Sequence, residues 1–352
     1  MFPQIRYLGA AGMNEHRAGK PVKIRKVLVC SPSWIGDMIM SLPALQVACA
    51  GRSNDRFTIM TKPPLIPLWE LSGVADEIIV QESGLRGTVR TSAVLRSHRF
   101  DAACIIPNSF RSALIPWLAA ISRRIGFRGH WRSFMINEMV AKDESSHRET
   151  HQCYEVAVLL GLSSVGEELP PPKLKIEESA VVAVLKKFSL TGGAVALIPG
   201  AARGSSKCWP VEHYADVGEM LAADDRKILL FGSNAERKMC EVVAEKIGDS
   251  AVNLAGKTDI KEWAILMKTC AAVVANDSGG MHLAAAVDIP GVALFGITDP
   301  GKTGPLGGRI KVLQNSDVRS RKIARDSVLA QKCLESISPK SVYEMLQEVM
   351  DD

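Results

Sequence analysis

Short runs, nearly all apolar on both faces and rich in Val, Ile and Leu, alternate along this chain with stretches of helical length and composition. That alternation limits the fold more than any other feature. A strand apolar on both faces must be covered on both faces, and the usual cover is a helix in the connection to the next parallel strand. The runs predict strands at residues 26–30, 56–60, 77–80 and 102–106, and again at 193–198, 227–231, 271–275 and 292–295. Helices are predicted between them, at 43–50, 89–98, 210–223 and 235–246 among others. The fold class is therefore α/β, with open, doubly wound parallel sheets.

The pattern occurs twice. Between the copies stands EELPPPKLK (167–175), whose three consecutive prolines neither continue a helix nor pair in a central strand. A length of 352 residues also exceeds what one core usually organises. The expected layout is an N-terminal extension (1–22), a first Rossmann-like domain (23–168), a linker (169–175), a second Rossmann-like domain (176–335) and a C-terminal helix (within 336–352, about 339–349), able to pack on either domain. Two such domains facing one another leave a central cleft at the carboxyl ends of both sheets, where folds of this kind bind ligands.

Composition excludes several classes. The chain is 47% hydrophobic and 23% charged, as soluble globular proteins are. A net charge of +5 does not by itself call for nucleic acid. None of the eight cysteines has CxxC spacing, so they read as reduced, mostly buried small hydrophobes of a cytosolic protein. No apolar run reaches the ~20 residues of a membrane span, and residues 1–22 lack the apolar core of an export signal. A cytoplasmic location is expected.

Two phosphate-binding signatures fail on inspection. GITDPGKT (296–303) fits GxxxxGK[ST], but a P-loop needs a helix opening at its Lys-Ser/Thr, and Gly304-Pro305-Leu306-Gly307-Gly308 does not supply one. No GxGxxG follows any predicted strand, which argues against a dinucleotide site. The chain also lacks a DxD pair, the usual carboxylates of a metal-bound sugar nucleotide, so cations and helix dipoles would have to hold a diphosphate.

Four strand-end loops carry the informative polar residues. Asp37 follows Gly36 after the first strand; as a carboxylate there it suits either a helix cap or a general base. IPGAARGSSKCWP (198–210) offers small residues that let amides approach an anion, with Lys207 as a point charge ahead of Trp209-Pro210. In LLFGSNAER (229–237), Glu236 either complements a helix dipole or accepts ribose hydroxyls. VVANDSGGMHLAAA (273–286) is the most specific. An apolar strand ends in Asn276-Asp277-Ser278, Gly279 and Gly280 permit close backbone approach, and His282 sits one turn into a small-residue helix whose start suits a diphosphate. A strand-end Asp beside a phosphate is awkward unless it binds hydroxyls, which points to a sugar.

These segments resemble glycosyltransferase family 9, the ADP-heptose:lipopolysaccharide heptosyltransferases. The likeness runs from about Lys26 to the C-terminal helix through PSWIGDMIMSLPAL, PNSFRSALIPWLAAI, GFRGHWR, KCWP, LFGS, NLAGKT and NDSGGMHLAAA, and among members it is most like the heptosyltransferase II branch. The resemblance implies a GT-B fold, the first domain taking the acceptor and the second the nucleotide sugar. It implies inverting transfer of heptose from ADP-heptose to the first inner-core heptose of heptosyl-Kdo2-lipid A, with Asp37 as catalytic base. Lys207, Glu236, Asp277, Ser278, Gly279 and His282 would bind the donor, with Lys257 and Thr258 near the nucleoside. No cofactor or metal is expected. Ala202 and Arg203 stand where the heptosyltransferase I branch has hydroxyl residues.

Acceptor contacts are expected from Ser33, Asn108, Arg111 and Arg128. The stretch 110–132 holds Arg111, Arg123, Arg124, Arg128 and Arg132 with no acidic residue, and beside Phe127 and Trp131 it reads as a dock for an anionic glycolipid. Peripheral contact with the inner face of the cytoplasmic membrane follows, and no nucleic-acid module is present. Heptosyltransferase I, a sugar-nucleotide epimerase of the same fold and a noncatalytic glycolipid-binding protein are the rival readings.

Overall fold

The computed structural model describes residues 25–51, 54–129, 131–141, 151–162, 168–201, 207–315 and 328–351. The predicted extension at 1–22, and Ala202 and Arg203, lie outside the described residues. The chain divides into two compact units between Pro170 and Pro171.

The first unit runs β1 (Arg25–Cys30), α1 (Ile35–Gly51), β2 (Asp55–Thr61), α2 (Ile66–Ser72), β3 (Glu77–Val80), α3 (Gly84–His98), β4 (Ala102–Ile105), α4 (Phe110–Leu118), β5 (Arg123–Phe127), β6 (Glu138–Val140) and α5 (Cys153–Leu159). Its six parallel strands are ordered β3-β2-β1-β4-β5-β6. Leu28 of β1 is level with Thr58 on one side and Ala103 on the other. The core joins Leu28, Cys30 and Met60 to Leu95 of α3 and Ile115 of α4.

The second unit runs α6 (Glu178–Phe188), β7 (Val195–Ile198), α7 (Val211–Ala223), β8 (Ile228–Leu230), α8 (Arg237–Ile247), β9 (Ala251–Asn253), α9 (Ile260–Lys268), β10 (Ala272–Asn276), α10 (Gly279–Ala286), β11 (Gly291–Leu294), α11 (Pro300–Thr303), β12 (Ile310–Leu313), α12 (Val328–Glu335) and α13 (Pro339–Asp351). The sheet order is β12-β11-β10-β7-β8-β9, again parallel. α13 packs on this unit, placing Val342, Leu346 and Val349 in the core with Val195, Val274 and Val292. Leu174, in the predicted linker, is buried and donates its amide to Ala286 of α10.

Four strands escape prediction. β6 and β9 are three-residue edge strands, too short to show a period. β12 is an edge strand with only Ile310 fully buried. β5 opens on two arginines, and Arg123 meets Glu138 of β6 with paired bonds of 2.6 and 2.9 Å. α1 begins at Ile35, ahead of the predicted 43, and carries Pro43 in its interior. In the P-loop lookalike, α11 is one turn capped by Asp299 and ends at Thr303, where a P-loop helix would open.

Each sheet reverses direction once, between β1 and β4 in the first unit and between β7 and β10 in the second. At such a switch point the connections leave toward opposite faces of the sheet, opening a crevice at the strand ends.

Candidate active site

In the second unit the loops after β7 and β10 flank the switch point. Asn276, the last residue of β10, is fully buried and uses both ends of its amide. Its Nδ2 donates to Pro199 O at 2.7 Å, and its Oδ1 accepts from Trp209 N at 3.1 Å. Trp209 is buried, lies edge-on to Tyr214, and donates its indole N–H to Ile337 O at 3.0 Å. Tyr214 closes the frame with a hydroxyl bond to Ile198 O, and its burial raises its pKa well above the ordinary value. Two positions before Trp209, Lys207 is held by this frame and ion-pairs with Asp277. The Asp277 side chain is 7% exposed and the Lys207 side chain 21%, so the lysine is the more accessible member.

α10 starts directly after this pair, with Ser278 at its N-cap. The Ser278 hydroxyl is buried and has no hydrogen-bond partner. Beside it the indole N–H of Trp263 is equally unpartnered, with its ring stacked on Phe231 at 5.8 Å. Buried polar groups are nearly always satisfied, so these two groups near the start of α10 are available to water or to a polar ligand. Gly280 serves protein packing, since a Cβ there would meet Ile198 Cδ1 at 2.7 Å and Trp263 at 3.4 Å. His282 is buried in the next turn.

Glu236 ends a 3-10 turn after β8 and forms a capping box with Ser233, whose amide donates to its carboxylate at 2.6 Å. The carboxylate lies over Gly200, where an added Cβ would stand 2.1 Å from Oε1. Lys257 and Thr258 follow β9. Their loop joins the Glu236 turn through the Gly256 amide and Gly232 O at 3.0 Å, and Gly256 adopts positive φ against Asn234. Lys207, Glu236, Lys257, Thr258, Asp277, Ser278, Gly279 and His282 thus all occupy one end of the second sheet and its loops.

In the first unit, Ser31 ends the loop start after β1. It is buried and accepts from Trp69 Nε1 at 2.9 Å and from Thr61 at 3.2 Å. Ser33 and Trp34 beyond it are exposed. Asp37 is half-buried in the first turn of α1, where a carboxylate complements the helix's positive end. Asn108 and Arg111 lie across the switch point, after β4. Arg111 donates to Glu82 O at 2.6 Å and Gly84 O at 3.0 Å, and its Nε is buried without a partner. A cavity of about 100 Å³ lies at this end of the sheet, lined by Ser31, Ser33, Lys62, Gln81, Ser109 and Arg111 among others.

The five-arginine face divides. Arg132 is fully buried, its guanidinium bonded to Pro107 O, to Phe127 O at 2.7 Å and to Asn108 Oδ1 at 3.1 Å. Burial lowers its pKa. Gly129 makes room, since a Cβ there would stand 2.7 Å from Arg132 Nε. Arg132 therefore shapes the Pro107–Ser109 loop from inside. Arg123 is paired with Glu138, and Arg124 donates to Met135 O at 2.7 Å and to Ile121 O. Phe127 is buried, whereas Arg128 and Trp131 are exposed. Of the five cations read as a dock for an anionic glycolipid, Arg123 and Arg124 on β5, Arg132 after it and Arg111 on α4 each meet carboxylate or carbonyl partners within the unit, because their nearest oxygens lie on neighbouring strands and loops. The framing roles of Asn276 and Arg132, and Trp263 altogether, are not legible in the sequence for a common reason: their partners lie far away along the chain or on another element. Among the described residues no cluster of three His, Cys, Asp or Glu side chains is arranged as metal ligands.

Comparison with known proteins adds the remaining element. The model of glycosyltransferase family 9 (heptosyltransferase) matches residues 89–332. A lipopolysaccharide heptosyltransferase 2 of Salmonella typhimurium is 33% identical over 306 residues, 82% of this chain and 88% of its own. A lipooligosaccharide heptosyltransferase 2 of Haemophilus influenzae is 32% identical across 92% of this chain and 99% of that protein. The solved ADP-heptose LPS heptosyltransferase II of E. coli is 29% identical with a TM-score of 0.83, covering 92% of this chain and 98% of that one. Two doubly wound parallel sheets in the GT-B class, with polar loops gathered at the switch point of each, accord with that match, and the chain belongs to glycosyltransferase family 9, the heptosyltransferases.

Proposed function

We propose that the protein transfers heptose from ADP-L-glycero-β-D-manno-heptose to the first heptose of heptosyl-Kdo2-lipid A, with inversion, in building the lipopolysaccharide inner core. The observation that carries this reading is the match, at 31–33% identity, to several proteins named heptosyltransferase 2. In the reaction the acceptor hydroxyl oxygen bonds to the anomeric carbon, its proton passes to Asp37, and the bond to the diphosphate breaks with its electron pair leaving on ADP. The Lys207 ammonium, the Ser278 hydroxyl and the amides opening α10 are assigned to the departing diphosphate, in place of a metal. Glu236 is assigned to the ribose hydroxyls, Lys257 and Thr258 to the nucleoside, Asp277 and His282 to the donor end of α10. Ser33, Asn108, Arg111 and Arg128 are assigned to the acceptor, whose lipid places the enzyme at the cytoplasmic face of the inner membrane.

The test offers ADP-heptose with Kdo2-lipid A bearing or lacking the first heptose, with and without a metal chelator, and reads ADP release and product mass. Transfer to the heptosylated acceptor, indifferent to the chelator, is the expected result. Transfer only to the unheptosylated acceptor would identify heptosyltransferase I instead. Conversion of the donor with no acceptor present would identify an epimerase.

A further inference from the structure

Helix α3 is inside out. Its inward residues are Gly87, Thr88, Thr91, Ser92 and Leu95, with one large apolar side chain among them. The hydroxyls are quieted by helix carbonyls, Thr88 to Gly84 at 3.0 Å, Thr91 to Gly87 at 2.8 Å and Ser92 to Thr88 at 2.8 Å. The large apolar residues point outward instead, with Leu85 at 85%, Val89 at 63% and Val94 at 46% exposure. Leu85 and Val89 are one turn apart on one stripe, and Arg86 and Arg90 form the stripe beside it.

α4 extends the same surface. The two helices lie side by side and parallel, joined at their starts by Arg111 to Gly84 O, midway by Ser92 to Ile115 O at 3.1 Å, and at their ends by Arg96 to Leu118 O at 2.5 Å. α4 turns Phe110 and Trp117 to solvent, and Trp117 meets exposed Phe134 edge-on at 6.1 Å. Exposed apolar groups gathered this way mark an interaction site.

Charge decides the partner. Between Glu82 and Glu138 the sequence holds nine arginines and a single acidic residue, Asp101, which accepts the Lys26 amide. The bordering carboxylates are taken, Glu82 by Arg90 at 3.4 Å and Glu138 by Arg123. A second copy docking face to face would set Arg86, Arg90 and Arg96 against their own kind. An anionic bilayer instead meets the cations with phosphates and the aliphatic and aromatic side chains with its headgroup–acyl boundary.

We propose that the outer faces of α3 and α4 dock on an anionic phospholipid surface, Leu85, Val89, Phe110 and Trp117 entering the interface while Arg86, Arg90 and Arg96 bind lipid phosphates. The inference extends the reading that the acceptor is a lipid, and uses none of the residues assigned to chemistry.

The test is cosedimentation of the full chain with vesicles of phosphatidylcholine alone or mixed with phosphatidylglycerol. The wild type binds the mixed vesicles and not the neutral ones. Leu85→Glu/Val89→Glu and Arg86→Glu/Arg90→Glu each weaken that binding about tenfold or more, with unchanged thermal melting because all four side chains face solvent. Both variants keep wild-type ADP release with detergent-dispersed acceptor. Binding to neither vesicle, equal binding to both, or variants that bind like wild type would overturn the proposal. So would a wild-type dimer that Leu85→Glu dissolves, which makes the face a contact between copies. Loss of heptose transfer in wild type with vesicle binding intact would strike the proposed reaction and leave this surface standing.

Discussion

Lys207 and Asp277 stand 70 positions apart and form one ion pair at the start of α10. The pair would reconcile a strand-end carboxylate with the proposed donor diphosphate, because the neighbouring ammonium offsets its charge. Lys207→Met leaves Asp277 buried without its cation. A charged hydrogen bond is worth about 1.5–3 kcal/mol, so affinity for ADP should fall about tenfold to a hundredfold; calorimetric titration showing unchanged affinity would remove Lys207 from the donor site. Asp37 is expected to behave differently. Asp37→Ala should cut turnover by ~10²–10⁴-fold, the range for a lost general base, with ADP affinity intact; near-normal turnover would leave Asp37 as a helix-end charge only. Arg132→Met orphans the carbonyls of Pro107 and Phe127, and urea denaturation should show a loss of about 3 kcal/mol. An unchanged midpoint would mean that Arg132 is dispensable to the Pro107–Ser109 loop.

Among elements, the strand-end turns do the positioning, and the glycines show how tightly. Gly200 ends the loop start after β7 only 2.1 Å, by an added Cβ, from the Glu236 carboxylate. Gly200→Ala must therefore swing Glu236 away while leaving the sheet intact. ADP affinity should drop about tenfold, as for one lost hydrogen bond to a charged group, with little change in melting temperature. A full loss of fold would instead mean that Glu236 has nowhere to turn. The strands buried on both faces were legible as unbroken apolar runs, since helices cover them. The edge strands β6, β9 and β12 were not, because an edge needs only a few residues and tolerates charge. α3 inverts the ordinary amphipathic signal, with its apolar residues outward, and no periodicity argument tells which stripe of such a helix meets the sheet.

At the scale of the whole molecule, no disulfide joins any of the eight cysteines among the described residues, and five of them are buried. Burial pushes the thiols of Cys153, Cys240 and Cys270 up to about 12, and that of Cys30 higher still. An unfolded thiol ionises near 8.5. A folded pKa raised above the unfolded one means that the folded state keeps its protons longer, so this contribution to stability is complete below about pH 8.5 and is lost as pH climbs toward about 12. Melting temperature in reductant should fall steadily over that window, and Cys270→Ser should flatten the decline. A flat profile from neutral to alkaline pH would mean these thiols ionise in place.

Sequence alone determined the α/β class, the doubling of the pattern around three prolines and the loops that carry the polar residues, because each is written in adjacent residues: a run, a break, a motif. It also identified the family, through motifs that keep their order along the chain. Tertiary structure decided what adjacency does not record. It joined Lys207 to Asp277, set Asn276 between two loops, withdrew Arg132 into the interior and turned α3 outward. These depend on which distant carbonyl or carboxylate each side chain meets, and parallel strands of one sheet bring together segments tens of residues apart.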